Sequence, residues 1–212
     1  MKLRLPDRHL LLKTNAVDYF YWNYQFPIKY IQRYRFKSIL KLMDTKIYDK
    51  LLEIGTGSGI FLIELSTHCR QLYAIDIHEK IKSVQKFCKD QKIKAEVTKC
   101  SIESTNFPDN FFDAIISVSV LEFIPDLNSA LNEIRRIMRP DGIFITICPQ
   151  KNSFLDFILS CFTDKAPDEE FLNSRMEISP VLEKSFKVIK KRIFPPILGK
   201  LLPVYNCYKL VK

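Results

Sequence analysis

Leu51-Leu52-Glu53-Ile54-Gly55-Thr56-Gly57-Ser58-Gly59-Ile60 is the stretch on which the fold turns. A short apolar run, Lys50–Ile54, ends in glycines at every second position, and an apolar periodic segment, Ile60–His68, follows. The pattern predicts a buried parallel strand that turns through a tight loop into a helix. Glycine suits such a loop because the backbone takes angles that a side chain resists and a ligand can approach the main chain closely. Free backbone N–H groups and a helix start make the turn a ligand site. A dinucleotide fingerprint needs its third glycine one position later, where Ile60 stands. Glu53 would repel a pyrophosphate and suits a ligand with a positive centre.

Outward from this loop the chain alternates. Gln71–Ile75 reads as a second strand closed by Asp76, and Glu79–Lys89 as a helix with Ile81, Val84 and Phe87 on one face. Ala95–Thr98 and Phe111–Val118 read as strands three and four. Leu127–Met138 is helical, with Arg135, Arg136 and Arg139 near its C-terminal end, where they complement the helix dipole. Pro140-Asp141-Gly142 is expected to stop it before a fifth strand, Ile143–Cys148. Ser153–Phe162 is expected to be helical. Phe186–Phe194 and Val204–Val211 are expected to form an antiparallel pair at one sheet edge, joined through Pro195–Gly199. The fold class is therefore α/β: a Rossmann-like sheet, mostly parallel with an antiparallel C-terminal edge strand, and helices on both faces. Residues 1–45 form an aromatic, basic cap with one helix over Tyr30–Met43. Residues 46–212 form the main part of what is expected to be a single structural domain.

The acid–x–Gly–x–Gly–x–Gly stretch beginning at Glu53 resembles the first motif of class I S-adenosylmethionine-dependent methyltransferases. Phe107-Pro108-Asp109-Asn110-Phe111-Phe112-Asp113-Ala114-Ile115-Ile116-Ser117 resembles that family's approach to strand four. Leu131–Gly142 resembles its helix and turn before strand five. Within the family the pattern is closest to the ubiquinone- and menaquinone-type and other small-molecule enzymes. The resemblance implies S-adenosyl-L-methionine as cofactor, S-adenosyl-L-homocysteine as product, and a cofactor-binding set of Glu53, Gly55, Thr56, Gly57, Ser58, Gly59, Asp76, Ile77, Ser101, Ile102 and Ser117. Asp76 would accept from both ribose hydroxyls, at a spacing that dehydrogenases share. Ile77 would pack on adenine. Ser101 stands where the family often has an acid, which leaves adenine to its hydroxyl and the Ile102 N–H. Glu122, after strand four, is the candidate catalytic base. Tyr19, Tyr24 and Tyr30 are candidates to line or cap the pocket, whereas His9 and His78 are expected at the surface.

The composition sets the remaining bounds. Of 212 residues, 47% are hydrophobic and 27% charged, which is globular rather than disordered. No apolar run approaches the roughly 18 residues of a membrane span, and Met1–Leu12 is no convincing signal peptide, so the expected location is the cytoplasm. Six cysteines, none at CxxC spacing and none clustered with the three histidines, point to no metal site. The net charge of +9 is uneven: residues 1–50 hold 11 basic and 4 acidic side chains, and Lys184–Lys212 holds eight bases and no acid. The expected acceptor is a small molecule or lipid-like compound. Peripheral membrane contact through the basic C-terminal segment Phe194–Pro203 is a further expectation. Methylation of RNA or protein and a catalytically inactive cofactor-binding module are the alternatives, and nucleic acid is the less favoured partner because no RNA-binding motif is visible.

Overall fold

A computed structural model describes residues 3–16, 18–151, 175–195 and 203–212. Seven strands form one sheet in the order β3-β2-β1-β4-β5-β7-β6. They are β1 (Tyr48–Ile54), β2 (Cys69–Asp76), β3 (Ala95–Lys99), β4 (Phe112–Val118), β5 (Met138–Pro149), β6 (Lys187–Phe194) and β7 (Tyr205–Val211). The first five pair in parallel; β7 runs antiparallel to both β5 and β6. The expected antiparallel pair thus exists, with β7 inside it and β6 at the rim.

The strands alternate between two buried faces, which explains their nearly continuous apolar sequence. Leu51, Ala114, Ile116, Ile143, Ile145 and Ile147 point to one side. There they meet Phe36, Ile39 and Leu40 of α1 (Lys29–Leu42) and Val84 and Phe87 of α3 (Ile81–Asp90). Leu52, Ile54, Ile115 and Phe144 point to the other. There they meet Leu131 and Ile134 of α4 (Leu127–Ile137) and Ile178 and Leu182 of α5 (Arg175–Ser185). Asp126 caps α4 by accepting from the Ser129 amide at 3.0 Å.

Two expectations need correction. The helix read over Ile60–His68 is only four residues, α2 (Leu62–Leu65). It is flanked by tighter turns such as Leu62 N–H to Gly59 O (3.1 Å) and His68 N–H to Leu65 O (2.9 Å). Ser66 and Thr67 hydroxyls donate back to the carbonyls of Ile63 and Glu64 (3.0 and 2.8 Å), which ends the helix early. The second correction concerns Pro140-Asp141-Gly142, which does not separate helix from strand. The three residues lie within β5, in an irregularity where the pairing jumps from Phe112↔Met138 to Ala114↔Ile143. The expected helix at Ser153–Phe162 and most of the Pro195–Gly199 connection fall outside the described residues.

The loop after β3 is held to α4 by Arg136. Its guanidinium donates to the Phe107 carbonyl (2.8 Å) and to Glu133 (2.8 Å), whose carboxylate accepts from the Thr105 amide (2.8 Å). Charge-assisted bonds of this kind are worth about 1.5–3 kcal/mol before exposure discounts them, and the Arg136 side chain is 35% exposed. Arg136→Ala should therefore lower unfolding free energy by about 1–2 kcal/mol in urea titrations. An unchanged midpoint would mean that apolar packing alone holds the loop.

Candidate functional site

The glycine loop is strapped to the end of β2. Gly55 and Thr56 amides both donate to the Ile75 carbonyl (2.9 and 3.3 Å), and the Gly57 amide donates to Asp76 Oδ2 at 2.8 Å. The other Asp76 oxygen accepts from the Ile77 amide (2.8 Å). Asp76 is not a helix cap, because α3 starts at Ile81 behind Lys80. Gly55, Gly57 and Gly59 all have positive φ. A Cβ on Gly55 would lie 2.3 Å from Val120 Cγ2, and one on Gly59 would lie 2.9 Å from Val84 Cγ1. Those two glycines serve packing. At Gly57 the nearest atoms are those of the Asp18 carboxylate, 3.7 Å away, so its main chain stays open for close approach.

His78, expected at the surface, is buried beneath this loop. Its Nδ1 accepts from the Lys80 amide (3.1 Å), which puts the ring proton on Nε2, where it donates to the Gly57 carbonyl (3.0 Å). The signal missed was its position: two residues past the strand end, the chain doubles back under the glycines.

A cavity of about 460 Å³ lies over the carboxyl ends of β1, β2 and β4, at the point where connections leave β1 and β4 in opposite directions. Glu53, Gly55, Thr56, Gly57, Ser58, Asp76, Ile77, Ser101, Ile102 and Glu122 all line it. Gly59 and Ser117 do not: Gly59 faces Val84, Leu62 and Phe87, and Ser117 is wholly buried within β4. Of the three tyrosines, Tyr19 lines the cavity. Tyr24 instead donates to the Pro6 carbonyl (2.6 Å), and Tyr30 is 64% exposed.

The wall also contains residues that the sequence pattern did not single out. Asp18 accepts from the Thr14 amide and hydroxyl (3.0 and 2.9 Å) and from the Phe20 amide (3.3 Å), which bends the N-terminal segment across Gly57. Trp22 stacks on Tyr19 with ring centroids 4.3 Å apart. Glu103 accepts from the Ser101 hydroxyl (2.9 Å), so an acid does sit in that segment, two places further along. Only the tertiary fold brings these groups together, and no spacing rule links them.

Two carboxyls are fully enclosed. Burial pushes Glu53 up to about 8, opposed by the hydrogen bond from the Thr56 hydroxyl (3.0 Å) and reinforced by the nearby Asp76 carboxylate. Burial pushes Glu122 up to about 8 as well, against the attraction of Arg35 and Arg175. One oxygen of Glu122 has no hydrogen-bond partner, and neither does the Ser58 hydroxyl. An acid-lined floor, an open glycine backbone and orphaned polar atoms together fit a ligand that carries positive charge and several hydrogen-bonding groups. Among the described residues no cluster of three or more metal-ligating side chains occurs.

A family model described as a methyltransferase domain matches residues 52–146. The ubiquinone/menaquinone biosynthesis C-methyltransferase UbiE of Rickettsia akari is 26% identical over 188 residues, covering 76% of each chain. The structure resembles the PH0226 protein of Pyrococcus horikoshii (TM-score 0.71, 19% identity, 87% of this chain and 91% of that one). It also resembles a SAM-dependent methyltransferase from Aquifex aeolicus (TM-score 0.65, 21% identity, 89% and 100%).

The enclosed carboxyls set a pH dependence. Both have folded-state pKa values near 8 against an ordinary 4.5. The folded protein therefore holds protons between those values that the unfolded chain has released. Their contribution to stability is complete below about pH 4.5 and is lost as pH rises through about 8. Without ligand, the wild type should unfold at lower urea at pH 8.5 than at pH 6, and an E53Q/E122Q double variant should lose most of that difference. Equal slopes for the two proteins would show that neither carboxyl is protonated in the fold.

Proposed function

We propose that this chain is a class I S-adenosylmethionine-dependent methyltransferase that methylates a small, largely apolar or lipid-like acceptor in the cytoplasm. The observation that carries this reading is the division of the cavity. Its half over β1 and β2 is acidic and backbone-rich. Its half toward β4 and β5 is walled by Phe36, Phe123, Ile124, Pro149 and Tyr205. A cofactor with an amino acid, a ribose and an adenine matches the first half. Glu53, Gly57 and Ser58 face its amino-acid end, Asp76 its ribose, and Ile77, Ser101 and Ile102 its base.

When bound, S-adenosylmethionine supplies a methyl group on a sulfonium, already a good leaving group. The residues of this chain have a narrower role, which is to hold the acceptor in line and to keep water out. Tyr19, Phe20 and Trp22 close the cavity from the N-terminal side. Glu122, buried at the end of β4, is the proton acceptor for an acceptor that must lose one, and because burial holds its pKa at about 8 that role strengthens as pH rises through neutral toward that value. Edge strand β6 presents exposed Lys187, Ile189, Lys190 and Lys191, a surface suited to an anionic lipid layer from which such an acceptor could be drawn.

Calorimetric titration tests the cofactor assignment. S-adenosylmethionine and S-adenosylhomocysteine should bind with micromolar affinity, and NAD should not. Gly57→Val forces a β-branched residue into φ +50, and Asp76→Asn removes the carboxylate that holds the loop. Each variant should weaken both ligands by about tenfold or more. Binding of NAD alone would overturn the assignment.

A further inference from the structure

The acceptor half of the cavity contains a charge that methyl transfer does not require. Arg35 is the one lysine or arginine among the described residues that line the cavity; the other charged side chains there are the acids Asp18, Glu53, Asp76, Glu103 and Glu122. It projects from α1, half-buried, and its terminal nitrogen donates to Gln32, another wall residue. Its Nε–H is buried and has no partner.

Glu122 is near enough to feel this charge, yet no ion pair within 4.0 Å joins the two. At neutral pH the Glu122 carboxyl is held largely protonated by burial, so it supplies little countercharge. The Phe36 ring centroid lies 5.8 Å from the guanidinium carbon, and Phe123, Pro149 and Tyr205 add largely apolar surface to the same cavity wall. A cation in such a setting is costly unless an anion meets it. The planar fork of arginine is suited to two oxygens of one group.

We propose that Arg35, with Gln32 beside it, anchors an anionic head group, a carboxylate or a phosphate, on an otherwise apolar acceptor. This deepens the methyltransferase reading of the same cavity and rests on it. Arg35 is on this view a specificity residue: it fixes one end of the acceptor so that another atom faces the methyl group.

The test uses the full chain saturated with S-adenosylhomocysteine and titrated calorimetrically with octanoate, octyl phosphate, octanol and octylamine. At least one anion should bind about tenfold or more tightly than octanol, as one charge-assisted contact would give. Whichever anion binds more tightly identifies the head group. In R35Q that preference should vanish, while affinity for octanol and for S-adenosylhomocysteine stays at the wild-type level; R35K should keep part of it. The proposal is overturned if octanol or octylamine matches both anions on the wild type, if no anion binds, or if R35Q keeps the preference. The wild-type comparison stands even if R35Q does not fold. Failure of the wild type to bind S-adenosylhomocysteine would instead strike the cofactor assignment.

Discussion

The hydrogen bond from the Gly57 amide to the Asp76 carboxylate, at 2.8 Å, is the contact on which the site depends. It ties the loop after β1 to the end of β2, beside the bonds from Gly55 and Thr56 to the Ile75 carbonyl. His78 completes the arrangement from below by donating to the Gly57 carbonyl. The loop is thus held through the two peptide groups that flank Gly57, and its positive φ values are imposed by position rather than left to chance. With so short a helix behind it, the site gains little from a macrodipole, which needs several aligned turns. The main contribution comes from individual amides aimed by the strands.

Charge is sorted along the cavity. Asp18, Glu53 and Asp76 gather around the glycine loop, and the single lysine or arginine of the described wall, Arg35, stands toward Glu122 and Tyr205. Glu53 and Glu122 are each held mostly protonated by burial in the absence of ligand. A positive ligand next to Glu53 would draw its proton off and strengthen their attraction, so occupancy and ionisation at that residue are linked.

Much of this was legible in the residue pattern. The alternation of Leu51 with Leu52 and of Ala114 with Ile115 encodes strands buried on both faces, and the structure pairs them as such. The glycine loop, Asp76 and Glu122 were visible because each sits just past a strand end, where position in sequence nearly determines position in space. What escaped was set by long-range contact. Asp18 reaches Gly57 across 39 residues of chain; Arg35 meets the pocket only because α1 packs over β5 and β7. His78 looked like a polar loop residue because burial depends on the backbone turn around it. Ile60–His68 has helical apolar spacing, but the competing Ser66 and Thr67 hydroxyls cut the helix short.

The place of β7 bears on how the protein is made. It fills the gap between β5 and β6 and supplies Tyr205 to the cavity wall. On the ribosome, β5 emerges some sixty residues before its antiparallel partner, since Phe144 pairs with Leu210. Through that interval Ile143–Cys148 is an open, strongly apolar strand edge, the kind of surface that recruits other chains. Until β7 is made, the nascent chain carries every strand of the parallel half but not the strand that covers β5, so the order of synthesis leaves its most apolar edge without its partner.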